Sequence, residues 1–186
     1  MKMFSNKRGG NLRWVLAFAI LGSALWIPSA WAGPKFVLTS PSFDNDDFMP
    51  AAFTCERDNQ SPDLKWSGLP KKTQSLALVV EDKDSPFKDY THWVIFNLFP
   101  TADGLSGSLA HLGVLPNGAL QGLNDYGGIG WSGPCPPRGE NHRYRFTLYA
   151  LDIVLDLKPE CKKDQLLSAI KKHILAKTSL TGRYKR

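Results

Sequence analysis

The chain has 186 residues, 42% hydrophobic and 22% charged, with 23 Lys plus Arg against 17 Asp plus Glu, a formal charge of +6. That is one domain's worth of chain beyond a leader, long enough to bury a good core, with no internal repeat and no low-complexity segment. Four of the cations (Lys2, Lys7, Arg8 and Arg13) lie in the leader, leaving 19 − 17 = +2 for the rest, and no nucleic-acid-binding motif accompanies them.

The leader reads as a secretory signal peptide over residues 1–32. Its basic start is followed by an apolar run from Trp14 to Ile27, then Pro28, Ser29 and the Ala30-Trp31-Ala32 cleavage pattern. The run is shorter than the roughly 20 residues of a membrane span. No cysteine near Ala32 provides for a lipid anchor. Cleavage is expected after Ala32, leaving one domain over residues 33–186 in the periplasm or secreted outside the cell. Export permits a disulfide. Cys55, Cys135 and Cys161 allow three alternative single bridges, and spacing does not choose among them.

In chain order, Phe36 to Ser40 reads as a first strand and Asp44-Asn45-Asp46-Asp47 as a solvated turn. This turn lacks the glycine and distal glutamate of a calcium loop. A polar loop leads to a short strand at Leu64 to Trp66. Leu76 to Val80 and His92 to Phe99 are apolar enough to be strands covered on both faces. The short link between them suits antiparallel neighbours and would bring Asp82 and His92 to one sheet edge. From Pro100 to Gly139, 15 of 40 positions are Gly or Pro, which excludes a long helix. This stretch reads as a loop-rich lobe with one short strand near Ala119 to Gly122. A long strand follows, with His142, Tyr144, Phe146, Leu148 and Ala150 on one face and Arg143, Arg145, Thr147 and Tyr149 on the other. A single helix is expected from Lys163 to Ala176, on the spacing of Leu166, Leu167, Ile170 and Ile174, with Asp164 as N-cap. The cations near the C-terminus read as a solvated helix face and tail, capable of at most peripheral membrane contact.

The chemistry gathers where strands meet rigid loops. Pro134, Pro136 and Pro137 stiffen the loop that enters the strand at His142. His92 opens another strand, and Asp82 and Asp84 leave a third. His173 reads as a packing or surface residue near the helix's apolar stripe, and His111 as a loop residue beside Leu109 and Leu112 with no obvious partners. The cluster suits anion binding first, through imidazole, phenol and backbone donors with an aspartate orienting a histidine. A metal site ranks second, since no short ligand spacing appears. Hydrolysis ranks third: there is no G-x-S-x-G elbow, and a Cys135 nucleophile would sit among prolines that offer few oxyanion donors.

The same residues carry a resemblance. Asp82-Lys83-Asp84-Ser85-Pro86 followed by His92-Trp93, and Gly133-Pro134-Cys135-Pro136-Pro137…Gly139…His142-Arg143-Tyr144, resemble the two motifs of phosphatidylethanolamine-binding proteins. Thr54-Cys55, Ser61-Pro62…Trp66-Ser67-Gly68, Asn124-Asp125-Tyr126-Gly127, Tyr149-Ala150-Leu151-Asp152 and His173-Ile174-Leu175…Tyr184 are similar to the bacterial, Raf-kinase-inhibitor-like branch. The resemblance implies a mainly β fold, a Greek-key sandwich of a large antiparallel sheet on a smaller one with a C-terminal helix. It implies a small anion pocket formed by Asp82, Asp84, His92, Gly133, Pro136, His142 and Tyr144. It implies no shared catalytic reaction, cofactor or metal; family members are linked to lipid headgroups, kinase regulation and protease inhibition. Lys83 and Ser85 depart from the usual proline and alanine, Pro136 is displaced by an altered spacing to His142, and Cys161 has no counterpart. The expectation is an exported, non-enzymatic binding protein for a phosphate-bearing or headgroup-like ligand. The alternative is a secreted inhibitor or modulator with a vestigial pocket, acting on a protein partner.

Overall fold

The computed structural model describes Met3 and residues 34–186 except Phe87. The expected leader, apart from Met3, lies outside the described residues. Two sheets are formed. The smaller contains β1 (Val37–Thr39), β3 (Leu64–Ser67) and β6 (Gly104–Leu105) in the order β1-β3-β6, all antiparallel. The larger has the order β2-β9-β8-β4-β5-β7, built from β2 (Asp47–Phe48), β4 (Ser75–Asp82), β5 (Tyr90–Leu98), β7 (Leu120–Gln121), β8 (Asn141–Leu151) and β9 (Ile174–Lys185). Its pairs are antiparallel except the edge contact of β2 with β9.

The burial pattern explains the layering. β4 and β5 are buried on both faces, as continuous apolar runs require. Leu76, Leu78, Val80, Trp93, Ile95, Phe146 and Leu148 pack toward the small sheet, against Leu38, Leu64 and Trp66. Ala77, Val79, Val94, Phe96 and Leu151 pack on the opposite face under Leu166 and Ile170 of α1 (Lys163–Ile170). β8 alternates: His142, Tyr144, Phe146 and Leu148 are buried while Arg143 and Arg145 are exposed.

The C-terminal segment corrects the sequence reading. The helix ends at Ile170 rather than Ala176, and Ile174 opens β9. Helical spacing holds only through Ile170. Beyond it the pattern has period two, with Leu180, Gly182 and Tyr184 buried on one face. Pairing along the whole length of β8, from His142↔Tyr184 to Leu151↔Ile174, makes this segment a strand. The helix begins after Lys162, whose N–H donates to Gln165 Oε1 at 2.9 Å, so Asp164 lies inside the first turn. His173 is in the turn after the helix, with Nδ1 2.9 Å from Asp152 Oδ1. The Asp44–Asp47 turn clamps β9: Asn45 Oδ1 accepts the Thr181 N–H at 3.0 Å, and the Asp46 carboxylate meets Arg183 at 2.8 Å. Among the described residues no helix is long and apolar enough to cross a membrane.

Candidate functional site

Three neighbouring strands end together. β4 finishes at Asp82, β5 starts at Tyr90, and β8 starts at Asn141; the register sets Asp82 opposite both Tyr90 and Tyr144. Period two then directs Tyr90 and His92 to one face of β5, and His142 and Tyr144 to one face of β8. A bridge between Cys55 and Cys135 closes the far wall. The Cys55 N–H donates to the Pro134 carbonyl at 3.1 Å, and the Ser132 N–H to the His92 carbonyl at 2.9 Å. The bridge resolves the cysteine pairing: Cys161 is free and buried. It also removes Cys135 as a thiolate nucleophile, because its sulfur is already bonded.

The resulting cavity has a volume of about 260 Å³. Asp82, His92 and His142 supply its polar chemistry; Tyr90, Tyr126, Pro136 and Pro137 give it apolar walls, with Ser85, Pro86 and Cys135 at its edges. A depression beside β1 and β9 is larger, about 350 Å³, but is lined by no histidine or tyrosine. Chemistry, not size, selects the site. The aromatic rings meet edge to face: Tyr90 with Tyr126 at 5.0 Å, His92 with Tyr126 at 5.5 Å and His92 with Tyr144 at 5.1 Å.

The surroundings shift the two histidines in opposite directions. Nδ1 of His92 lies 2.5 Å from the Ser132 carbonyl, which makes it the protonated nitrogen. Burial pulls the His92 pKa below its ordinary value, and the nearby carbonyls and the more distant Asp82 and Asp125 charges only partly oppose this. His92 is therefore neutral at physiological pH, with Nε2 an acceptor. His142 lies between two carboxylates, Asp82 at 2.7 Å from Nδ1 and Glu140 at 3.0 Å from Nε2. Burial alone would lower its pKa, but the Asp82 and Glu140 contacts outweigh that and hold it above the ordinary value. An imidazolium donates from both nitrogens.

Of the seven residues expected at the site, Asp82, His92, Pro136 and His142 line the cavity. Asp84, Gly133 and Tyr144 do not line it; each has a supporting role. Asp84 turns to the outer face, where its carboxylate accepts the Arg143 N–H at 2.8 Å and grips the guanidinium at 2.6 and 2.9 Å. That pairing holds its pKa down to about 2. The Asp84 N–H donates to Asp82 Oδ1 at 2.9 Å, which helps aim Asp82. Gly133 has no room for a side chain: a Cβ would lie 2.1 Å from the Phe53 carbonyl oxygen, and its N–H donates to Asn59 Oδ1 at 2.7 Å. Tyr144 stands behind His92, fully buried, its pKa pushed up by burial and by Asp82. Its hydroxyl has no hydrogen-bond partner among the described residues. Lys83 pairs with Asp89 and Glu81 rather than entering the cavity.

Sequence reasoning passed over Tyr90, Tyr126 and Glu140. Tyr90 was open to inference, two residues before His92 on the same strand face. Tyr126 lies in the Asn124–Gly127 stretch that carried the resemblance, but no local pattern brings it to the β5 edge. It is brought there by the Asp125 carboxylate accepting the Thr91 N–H at 2.8 Å and by the Asp125 carbonyl accepting the Tyr90 hydroxyl at 2.9 Å. Among the described residues no group of three or more His, Cys, Asp or Glu side chains is arranged to hold a metal.

The two-sheet fold and this strand-end cluster define a class that comparison with known proteins identifies. The model of the phosphatidylethanolamine-binding protein family matches residues 39–185. A UPF0098 protein of Methanothermobacter thermautotrophicus is 46% identical over 149 residues, covering 80% of this chain and 98% of its own. A second, PYRAB11530 of Pyrococcus abyssi, is 36% identical over 92% of this chain and 96% of its own. Among solved structures, Escherichia coli YbcL, described as a member of the mammalian PEBP family, is 30% identical with a TM-score of 0.77, covering 82% of this chain and 99% of its own. The Chlamydia trachomatis PEBP homologue CT736 is 38% identical with a TM-score of 0.74, covering 81% and 97%. The chain belongs to the phosphatidylethanolamine-binding protein family. Similar proteins occur in archaea as well as bacteria, so the likeness extends beyond the bacterial branch.

Proposed function

We propose that this chain is an exported, non-enzymatic binding protein whose cavity holds a small phosphate-bearing or phospholipid-headgroup-like ligand. One observation carries the reading. A buried histidine, His142, held between two carboxylates that favour its charged form, lines a preformed cavity of about 260 Å³ next to His92, whose Nδ1 is fixed on the Ser132 carbonyl. A charge-assisted N–H bond to a phosphate oxygen is about twice as strong as a neutral one. The apolar walls of Tyr90, Tyr126 and the prolines suit the carbon portion of a headgroup. With Cys135 bridged, the site offers no free thiolate, which supports binding over covalent catalysis.

Calorimetric titration at low salt near pH 6.5 tests this, with phosphoethanolamine and inorganic phosphate added to the wild type and to His142→Ala. Saturable binding that is lost in a folded His142→Ala variant is the expected outcome. Absence of binding by both proteins would move the function to protein contacts outside the cavity. Export is tested separately by fractionating expressing cells and sequencing the mature N-terminus, which should begin at Gly33.

A further inference from the structure

The contact between Glu140 and His142 adds a feature that the cavity reading does not need. Glu140 Oε2 lies 3.0 Å from Nε2 of His142, while Asp82 holds the opposite nitrogen at 2.7 Å. His142 donates to no other group among the described residues. Carboxylates of the chain itself thus face both ring nitrogens, and Nε2, held by the more exposed of the two, is the position more readily freed for an incoming anion. We propose that Glu140 is a specificity-determining residue of the cavity, an internal carboxylate that an anion must displace from His142 before it binds.

The geometry suits displacement. The Glu140 side chain is 57% exposed against 6% for His142, so the carboxylate can swing into water while the imidazole stays in place. The backbone on either side is anchored. The Gly139 N–H donates to the Arg186 carbonyl at 2.7 Å, the Glu140 N–H to the Pro137 carbonyl at 3.1 Å, and the Arg186 N–H to the Glu140 carbonyl at 3.4 Å. Only side-chain torsions need change. Charge acts in the same direction. Asp82 and Glu140 together bring two negative charges to one imidazolium, while Asp84 is neutralised by Arg143 and Arg186 is directed to Cys135 and Glu56. A simple anion therefore meets both a competitor and a like charge. Glu140 thereby sets a threshold that weak anions do not pass.

This proposal rests on the cavity reading and fails separately from it. Inorganic phosphate is titrated into the full chain, Glu140→Gln and Glu140→Ala, and the His142 ring is followed by NMR across pH without phosphate. Glu140→Gln keeps the shape and removes the charge; the exposed position keeps both variants folded, which a thermal melt checks. Phosphate should bind both variants tighter than the wild type by up to roughly fivefold, the range expected for loss of a partly exposed charged contact. The His142 pKa should fall in both. Equal or weaker phosphate binding in the variants overturns the gate and leaves the cavity reading standing. An unchanged His142 pKa shows that Glu140 does not hold the ring in solution and also overturns the gate. No phosphate binding by any of the three proteins overturns the gate, and if phosphoethanolamine also fails to bind, the cavity reading falls with it.

Discussion

His92 and His142 are the same residue type, each near the start of a strand, yet their surroundings drive them apart. His92, buried beside carbonyl oxygens and rings, has a pKa below the ordinary 6.5; His142, between two carboxylates, has one above it. NMR titration should show His142 still protonated at a pH where His92 is neutral. Their effects on stability have opposite signs. The His142 contribution is fully present below 6.5 and is lost as pH rises through its raised folded value. The His92 contribution is present above 6.5 and is lost as pH falls through its lowered folded value. The difference in melting temperature between wild type and His142→Ala should therefore narrow as pH rises, and a difference that does not depend on pH would contradict the raised pKa. Asp84 behaves differently again. Its pairing with Arg143 contributes above pH 3.8 and fades as pH falls toward about 2. Because this pair is near the surface, Asp84→Ala should cost no more than about 1 kcal/mol. Ligand affinity should change little, since the carboxylate faces away from the cavity; a calorimetric comparison checks both statements.

One wall of the cavity is the Gly133–Gly139 loop, set against the ends of β4, β5 and β8. It is fixed by the Cys55–Cys135 bridge, which spans a separation of 80 residues, and by the close approach of Gly133 to the Phe53 carbonyl. Reduction of the bridge should cost about 2–4 kcal/mol, mainly by freeing the unfolded chain. It should also weaken ligand binding, because Cys135, Pro136 and Pro137 form one wall. Urea unfolding with and without a reductant measures the first effect and titration under reduction the second. Gly133→Ala should cost about 1–3 kcal/mol and lower affinity, because the added methyl group forces the loop away from residues 53 and 54. A Gly133→Ala protein of wild-type stability and affinity would mean that the loop yields without consequence.

For the molecule as a whole, the division of labour between the two sheet faces explains why function collects at one edge. Both faces of β4 and β5 are committed to core, one toward the small sheet and one toward α1. Ionisable groups are tolerated only where these strands run out, and there they are paired. Asp82, His92 and His142 are each at most 6% exposed, a burial that is costly unless hydrogen bonds offset it. Much of this arrangement was legible in the chain. Apolar runs identified β4 and β5, period two identified β8 and placed His142 and Tyr144 on one face, and prolines marked the rigid loop. Local pattern of this kind is enough because strand burial imposes it directly. The tertiary structure decided what local pattern leaves degenerate. The last strand looked partly helical until pairing with β8 set it. Asp84 resembled Asp82 until Arg143 drew it outward. Three cysteines became one bridge only when residues 55 and 135 met. Tyr126 reached the site through contacts of its neighbour Asp125 with β5. The residue types and their periodicity determined that two histidines and an aspartate would stand at one sheet edge. The partner that Nδ1 of each ring finds, Ser132 for His92 and Asp82 for His142, depends on distances between segments far apart in sequence.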